Sequence, residues 1–233
     1  MSSIPTESSK EFTSLISPFI ERLSELSDSG ATVIASSSFQ TQSIPLLHIL
    51  SIHAPSIPVY FLDTGFHFPE TLAFRDEVAD KLSLRVVTIE SPVTKITQVM
   101  ANGQLMFSED AERCCFLNKT LPMEPILASA DFWITGVRSD QSEVRADFAS
   151  EVPGPHGVTR LHPMLAWTRR DIWRYVKVND LPRHPLELLG FDSIGCSPCT
   201  RVPSFGEDGE RGGRWQGQNK TECGLHTTLA NEN

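Results

Sequence analysis

Five cysteines are the residues of this chain best suited to chemistry. Cys114 and Cys115 are adjacent in "ERCCFLNK", Cys196 and Cys199 form a Cys-x-x-Cys pair in "IGCSPCTR", and Cys223 stands alone in "TECGLH". Adjacent side chains diverge from the backbone, so the neighbouring thiols are poorly placed to act together on one small target, and a disulfide between them would strain the intervening peptide. The adjacent pair therefore predicts a site that other cysteines complete.

The Cys-x-x-Cys spacing lets two thiolates reach one metal centre, and with the adjacent pair it gives four potential ligands. Zinc accepts four thiolates, but its paired ligands are usually separated by two to four residues. An iron-sulfur cluster offers several irons, so neighbouring cysteines can each bind a different corner. The pattern favours a cluster, while a zinc site or simple packing of small thiols stays open.

Cys223 is left over from this set of four. A thiol in a Gly-containing segment, with His226 three residues later, is placed to reach a ligand and react, because the thiolate is the nucleophilic form of cysteine. A cysteine without a role is the alternative.

Basic residues recur beside the cysteines and loops, where an anion would need them. They are Lys119, Arg138, Arg145, Arg201, Arg211 and Arg214. Surface solvation is the usual fate of such side chains, but their repeated proximity to the cysteines favours a binding role.

Two polar loops, "SSSFQTQS" and "LDTGFHFPE", each follow an apolar stretch that reads as a strand. Ser36, Ser37 and Ser38, with backbone amides at the start of the next helix, could cradle a phosphate or sulfate. Asp63 and Thr64 could contact a ribose or base. The alternative is that the serines only cap a helix and Asp-Thr-Gly only turns the chain. Neither loop continues into the Gly-Lys-Ser/Thr of a P-loop.

The elements that position these residues alternate between strand and helix. Apolar strands are predicted in "ATVIASSSFQ", "VYFLDTG" and "LRVVTIE", with further candidates in "DFWITGV" and "RLHPM". Helices are predicted around Leu15 to Leu26, at 41–52 and 69–82, and in "TRRDIWRYVKVNDLP", opening at Thr168 and ending before Pro182. This alternation predicts an α/β fold, an open and mostly parallel sheet with helices on both faces.

From about residue 190 the sequence becomes polar and Gly-rich, which predicts loop and a mobile C-terminal tail. We expect residues 1–190 to form the nucleotide-binding part and residues 191–233 a cysteine-containing loop and catalytic tail of the same structural domain.

The composition limits the class of protein. Hydrophobic residues make up 39% and charged residues 21%, as in a globular protein, and no apolar run approaches the roughly 20 residues that span a bilayer. A formal net charge of -9 argues against non-specific nucleic-acid binding. The start, "MSSIPTESSK", lacks a secretory pattern, so we expect a cytoplasmic protein with reduced thiols.

Seven segments, in order between residues 30 and 227, carry a resemblance to a known family. They are "SSSFQTQ", "LDTGFHFPET", "CCFLNK", "GVRSDQSEVR", "IGCSPCTR", "ERGGRW" and "ECGLH". Together they resemble the assimilatory adenylyl-sulfate reductases, the iron-sulfur branch of the adenylyl-sulfate and phosphoadenylyl-sulfate reductase family. The Cys-Cys and Cys-x-x-Cys arrangement and the terminal Glu-Cys-Gly-Leu-His are its most specific parts.

The resemblance implies an adenine-nucleotide alpha-hydrolase-like fold and an enzyme of sulfate assimilation toward cysteine. A [4Fe-4S] cluster would be held by Cys114, Cys115, Cys196 and Cys199. Cys223 would attack the sulfur of adenosine 5′-phosphosulfate, expel AMP and form S-sulfocysteine. Thioredoxin or glutaredoxin, as a separate protein, would then release sulfite.

The resemblance also implies the substrate contacts. Ser36, Ser37, Ser38, Asp63, Thr64 and Gly65 would line the nucleotide pocket, and Lys119, Arg138, Arg145, Arg211, Arg214 and His226 would surround the phosphosulfate. Lys119 would link the cluster to the bound anion. The chain departs from the family pattern at Gln40, at Asn118 and after "GRW", where Gln-Gly follows.

Three other functions stay open. The substrate could be 3′-phosphoadenylyl sulfate, or both nucleotides. An ATP pyrophosphatase shares the implied fold, but its usual Ser-Gly-Gly-x-Asp-Ser loop is replaced here by "SSSFQTQS". A non-enzymatic zinc-binding or redox-sensing module would leave Cys223 dispensable. The sequence leaves homo-oligomerisation open.

Overall fold

Alternating strands and helices build a single sheet in the part of the chain that the structure describes. The structure is a computed structural model and describes residues 12–204, 211–215, 220, 222 and 225. The strands are β1 (Val33–Ser36), β2 (Val59–Asp63), β3 (Val86–Glu90), β4 (Phe132–Thr135), β5 (Glu151–Pro153) and β6 (Thr159–Leu161). Their order is β3-β2-β1-β4-β6-β5, and every pairing is parallel except that of β5 with β6.

Helices connect the parallel strands. They are α1 (Thr13–Ser29), α2 (Ile44–His53), α3 (Pro69–Leu82), α4 (Met106–Glu109), α5 (Ala111–Cys115), α6 (Leu121–Leu127), α7 (Glu143–Ala146) and α8 (Arg169–Val178). A π-helical turn, Phe116–Thr120, joins α5 to α6. Short 3-10 turns lie at Thr41–Ser43, Lys95–Thr97, Ser139–Gln141, Pro155–Gly157, Pro185–Leu189 and Ser197–Cys199.

The sheet is covered on both faces because successive strand side chains point to opposite sides. On β1, Ala35 belongs to a large apolar cluster with α1, α2, α3 and α8, whereas Ile34 belongs to a second cluster with α6. On β4, Ile134 belongs to the first of these clusters and Trp133 to the second. Both faces of the central strands are therefore buried, and the predicted fold class is confirmed.

Most predicted elements are present. The five predicted strands correspond to β1, β2, β3, β4 and β6, and the predicted helices correspond to α1, α2, α3 and α8. Helix α8 begins where the sequence indicates, because the Thr168 hydroxyl accepts from the backbone N–H of Asp171 and the Asp171 carboxylate accepts from that of Thr168. The predicted mobile tail lies largely outside the described residues.

The order of the strands reverses next to β1, because the chain proceeds outward to β3 and then returns to place β4 on the other side. In open α/β sheets, ligands bind beyond the carboxyl ends of strands at such a switch point. The loops after β1 and β4 meet there. No helix of the described residues is long and apolar enough to cross a membrane.

His184 fastens the turn Pro185–Leu189 to α3. Its Nδ1 accepts from the backbone N–H of Leu186 at 3.3 Å, so its Nε2 carries the hydrogen and donates to the Thr71 hydroxyl at 3.0 Å. Burial lowers the pKa of His184 to about 4. The neutral ring is therefore the form that the fold stabilises.

The stability of the fold should fall on acidification. Because the folded pKa of His184 lies below the unfolded value of about 6.5, the unfolded chain binds the extra proton first, and stability is lost as pH falls from about 6.5 to about 4. The loss from this ring should be about 3 kcal/mol. Urea unfolding across this range measures it. His184→Asn, which keeps an acceptor for Leu186, should reduce the dependence of the unfolding free energy on pH. The control His53→Asn, at an exposed histidine, should leave that dependence unchanged. An unaltered pH dependence in His184→Asn would contradict the assignment.

Candidate active site

A cavity of about 170 Å³ opens at the carboxyl ends of β1, β2 and β4, at the switch point of the sheet. The serines of the first loop, residues Tyr60 to Leu62 of β2 and the stretch Thr135 to Val137 line it. Lys119, Arg145, Arg211 and Arg214 also line it. The cavity therefore combines apolar strand residues with cationic side chains, as a bound anionic nucleotide requires.

The loop after β1 is held in shape by its own serines. The Ser36 hydroxyl accepts from the indole of Trp133 at 2.9 Å, and the Ser37 hydroxyl accepts from the backbone N–H of Phe39 at 3.0 Å. Phe39 is fully buried with a φ of 53°, which is strained for a residue other than glycine. The strained turn brings Ser36, Ser37 and Ser38 to the cavity wall.

The loop after β2 faces a different site from the one implied for it. Asp63, Thr64 and Gly65 are absent from the lining of this cavity. The Asp63 carboxylate instead accepts from the backbone N–H of Gly65 at 2.8 Å, and the buried Thr64 hydroxyl lies 3.2 Å from the Cys196 thiol. This loop therefore supports the cysteines.

Arg138 supports the cavity from behind. It is fully buried, donates to Asp140 at 2.9 Å and to Gln42 at 3.0 Å, and does not line the cavity. Gln42 also accepts from Gln141, and both glutamines do line the cavity. Arg138 thus positions two amides that the sequence analysis did not single out.

The four cysteines other than Cys223 line one small pocket. Helix α5 supplies Cys114 and Cys115, and the turn Ser197–Cys199 with its preceding residue supplies Cys199 and Cys196. The backbone N–H of Ser197 donates to the carbonyl of Phe66 at 2.7 Å, which ties that turn to the loop after β2. These four cysteines form no disulfide with one another. No group of three or more His, Cys, Asp or Glu in the described ranges is arranged to hold a single metal ion.

The electrostatics of this pocket suit a positive centre. Burial raises the pKa of the Cys114 thiol and that of the Cys199 thiol, and the neighbouring Cys196 raises both further. Lys119 acts on both in the opposite direction. Four thiolates in one pocket need compensating positive charge. A bound metal centre would supply that charge and so stabilise the deprotonated form of its ligands. The donor set therefore fits an iron-sulfur cluster.

Asn118, a departure from the family pattern, is a buried hub beside Cys114. Its amide nitrogen donates to Gln98 at 2.6 Å and to the Cys114 carbonyl at 2.9 Å, and lies 3.5 Å from the Cys114 sulfur. Its oxygen accepts from Gln98 at 3.0 Å and from Lys95. The π-helical turn that contains it lets this amide face the cysteines.

Asn118→Ala should destabilise the fold by about 3 kcal/mol, because Gln98 and Lys95 would lose a buried partner. Asn102→Ala, which removes one turn hydrogen bond at an exposed asparagine, is the matched control and should cost about 1 kcal/mol or less. Urea unfolding of both variants measures the difference. Equal losses of unfolding free energy in the two variants would show that the buried Asn118 hydrogen bonds stabilise the fold no more than the exposed one at Asn102.

Lys95 lies against the turn after β2. A Cβ on Gly65 would come within 2.6 Å of the Lys95 Cε, and Gly65 has a φ of 70°, so a residue with a side chain fits this position poorly. The ammonium lies 5.1 Å from the centre of the Phe66 ring. Burial lowers the pKa of Lys95, and Cys114 partly opposes that effect. Lys95 therefore adds a second cation near the cysteines, one that the sequence analysis missed.

Lys119 connects the two sites, because it lines both the larger cavity and the cysteine pocket. It lies four residues after Cys115 in the helical segment, a spacing that places the two side chains on the same face. This one cation is thus shared between the cavity and the cysteines.

Arg214 and Arg211 close the cavity around Trp215. Their guanidinium carbons lie 4.4 Å and 5.0 Å from the centre of the Trp215 rings. Arg214 also donates to the Cys199 carbonyl at 3.2 Å and lies directly on Gly195, where a Cβ would come within 2.5 Å of its guanidinium carbon. A side chain at position 195 would therefore displace the Arg214 guanidinium from this position.

Buried polar groups at the cavity without a hydrogen-bond partner among the described residues include the His67 Nδ1, the Thr135 hydroxyl and the Trp215 indole N–H. Buried polar atoms are rarely left unpaired, so these groups are suited to a polar ligand. The predicted site residues Cys223 and His226 lie outside the described residues.

Residues 32–202 match the family model described as the phosphoadenosine phosphosulfate reductase domain. A Salinibacter ruber protein named adenosine 5′-phosphosulfate reductase is 35% identical, with 87% of this chain and 81% of that protein covered. A Gloeobacter violaceus protein named phosphoadenosine 5′-phosphosulfate reductase is 37% identical, with 84% and 83% covered.

A crystal structure of phosphoadenylyl-sulfate reductase from Candida auris is similar in fold. The TM-score is 0.65 at 17% identity, and the match covers 85% of this chain and 98% of that chain.

Proposed function

The chain belongs to the phosphoadenosine phosphosulfate reductase family, and on that premise we propose that it reduces adenosine 5′-phosphosulfate to sulfite and AMP. The observation that carries the proposal is the position of Lys119, which lines both the cavity at the switch point and the four-cysteine pocket. A cation at that boundary can balance negative charge on a bound anion and on the pocket cysteines. The name of the Salinibacter ruber relative supports the substrate.

The cavity offers separate surfaces for the two parts of this substrate. The nucleoside would lie along Tyr60 to Leu62 and the serine loop, and the phosphosulfate would lie toward Lys119, Arg211 and Arg214. These cations would balance the charge that develops on the departing phosphate of AMP. The unpaired Thr135 hydroxyl and Trp215 N–H would be hydrogen-bond donors to the ligand.

The four-cysteine pocket would hold a [4Fe-4S] cluster on Cys114, Cys115, Cys196 and Cys199. When bound, that group would supply fixed charge beside the anion site and would order the surrounding loops. The Thr64 hydroxyl and the Asn118 amide would orient its cysteine ligands, as the outer contacts of metal sites commonly do.

The chemistry would be carried by Cys223. Its thiolate would attack the sulfate sulfur; a sulfur–sulfur bond would form, the bond from that sulfur to the phosphate oxygen would break, and AMP would leave with the electron pair. A thiolate of thioredoxin or glutaredoxin would then attack the Cys223 sulfur and release sulfite. The second thiol of the reductant would resolve the mixed disulfide, so a dithiol is oxidised as the sulfonyl group is reduced.

A second candidate substrate is 3′-phosphoadenylyl sulfate. The relative from Gloeobacter violaceus bears the corresponding name at a similar identity, so the family alone leaves both nucleotides in view. The four cysteines beside the cavity favour the unphosphorylated substrate, because the resemblance associates them with that branch. The thiol chemistry fits a reducing compartment such as the cytoplasm.

One experiment separates these candidates. Sulfite release by anaerobically purified protein with thioredoxin should be measured with each nucleotide at equal concentration. We expect a kcat/KM for adenosine 5′-phosphosulfate at least about tenfold above that for its 3′-phosphorylated form, since a misplaced phosphate costs a factor of that order. The reverse preference would establish the second candidate, and no sulfite from either would overturn the proposal.

A further inference from the structure

Glu222 is a buried carboxylate that contacts two arginines from the wall of a cavity suited to anions. Only 5% of its surface is exposed, and its side chain is bonded to Arg145 through both carboxylate oxygens. The Arg145 Nη2 donates to Oε2 at 2.8 Å and the Nε donates to Oε1 at 3.2 Å. The Ser142 hydroxyl donates to Oε1 at 2.7 Å, and Arg211 lies 3.6 Å from Oε2. This acidic residue is thus fully engaged.

The pairing is well suited to fixing a segment of chain. Burying a carboxylate is costly unless its charge is compensated and its oxygens are hydrogen-bonded, and both conditions hold for Glu222. Burial opposes ionisation of Glu222, but Arg145 and Arg211 outweigh it, so its pKa lies below the ordinary value. The planar guanidinium of Arg145 also fixes the orientation of the carboxylate through two parallel bonds.

Much of the Arg145 guanidinium is engaged by protein groups. Nε and Nη2 donate to Glu222, and Nη1 donates to Gln141. Arg145 also lines the cavity, so these bonds fix its orientation where it is expected to face the phosphosulfate. Lys119 and Arg214 are the cations of the cavity wall that do not contact Glu222 in the described contacts.

Two neighbouring residues of the same segment are also fastened. Lys220 lies 2.6 Å from the Glu112 carboxylate of α5, the helix that carries Cys114 and Cys115. Leu225 lines the cavity and packs against the apolar cluster that includes α6. Described residues on both sides of Glu222 therefore contact the rest of the fold, Lys220 at α5 and Leu225 at the cavity.

We propose that Glu222 is a positioning residue for Cys223, the next residue along the chain. Arg145 of α7 and Ser142, at the start of that helix, are the hydrogen-bond donors that hold Glu222. The proposal rests on the proposed function, which makes Cys223 the nucleophile. Because consecutive Cα atoms are about 3.8 Å apart, fixing Glu222 limits the range of positions open to Cys223. The two arginines also neutralise a negative charge that would otherwise repel both the thiolate and the substrate.

The test is a single turnover with adenosine 5′-phosphosulfate and no reductant, following sulfonation of Cys223 by mass spectrometry, together with the Kd for AMP. Glu222→Gln should slow sulfonation at saturating nucleotide about tenfold or more, because it loses a charged hydrogen-bond acceptor. Its Kd for AMP should change less than about threefold, because Glu222 would affect the sulfonation step and not nucleotide binding. Glu222→Asp should recover part of the rate.

Two variants keep the test decisive. Ser142→Ala, which removes one donor to Glu222, should slow sulfonation in the same direction by about threefold. Glu143→Gln removes the same charge from an exposed neighbour of Arg145 and should change neither rate nor Kd. If Glu222→Gln misfolds, the Ser142→Ala result decides between the outcomes.

An unchanged sulfonation rate in Ser142→Ala and Glu222→Gln would overturn the positioning role. Tighter AMP binding with no loss of rate would also overturn it, and would identify Glu222 as a competitor of the anion. Failure of the proposed function itself is distinguishable, because wild-type protein would then form no adduct. In that case, trypsin cleavage after Lys220 should still be faster in Glu222→Gln than in Glu143→Gln if Glu222 holds the segment, and equal cleavage would reject the contact.

Discussion

Cys223→Ser is expected to lower sulfite release from adenosine 5′-phosphosulfate by more than about a thousandfold. A serine hydroxyl is almost fully protonated at neutral pH, so it is a far weaker nucleophile than a thiolate. It also cannot form the sulfur–sulfur bond that thioredoxin would later break. The measurement is the steady-state rate of sulfite release, with thioredoxin, in matched anaerobic preparations.

The Cys223→Ser variant contains its own control. Its iron content and its Kd for AMP should equal those of the wild type, since the four pocket cysteines and the cavity residues are unchanged. Sulfite release at the wild-type rate would place the nucleophile elsewhere. A rate loss accompanied by loss of AMP binding would point instead to a damaged fold.

Cys196→Ser is expected to remove the proposed metal centre. Cys196 lies 3.2 Å from the Thr64 hydroxyl and raises the pKa of both Cys114 and Cys199, so it lies close to the other thiols of the pocket. A hydroxyl is a poor ligand for iron in such a cluster. Iron and sulfide should fall from about four per chain to less than about one, and sulfite release should fall with them.

The comparison with Cys223→Ser gives this second prediction its control. Each variant changes one sulfur to oxygen, but only Cys196→Ser should lose iron, sulfide and the visible absorbance of a cluster. Full iron and sulfide in Cys196→Ser would contradict the ligand assignment. Zinc without sulfide in the wild type would favour the zinc alternative.

Much of the fold could be predicted from the sequence because its strands are continuously apolar and its helices carry capping signals. The helix opening at Thr168 is an example, since the cap and its Asp171 partner are three residues apart. The edge strand β5 was not predicted, because it has only three residues and ends in a proline. The short helices α4 to α6 also lacked a long periodic pattern.

The site was partly predictable for a similar reason. The spacing of the cysteines predicted one shared site because few other residue types bind metal centres through sulfur. In the structure all four cysteines line one pocket. Spacing could not place Arg138, whose guanidinium is turned inward to Gln42, 96 residues away. The Arg145 to Glu222 pair spans 77 residues, and no local pattern indicates such a contact. Contacts at that separation depend on the whole fold.

The proposed reaction depends most directly on the covalent intermediate. Wild-type protein should be incubated anaerobically with adenosine 5′-phosphosulfate in the absence of reductant, and the peptide that contains Cys223 should then be weighed by mass spectrometry. We predict a mass increase of one SO₃ group on Cys223, one AMP released per chain, and release of the group as sulfite when thioredoxin is added. Sulfite formed with thioredoxin while Cys223 carries no such adduct would contradict the account.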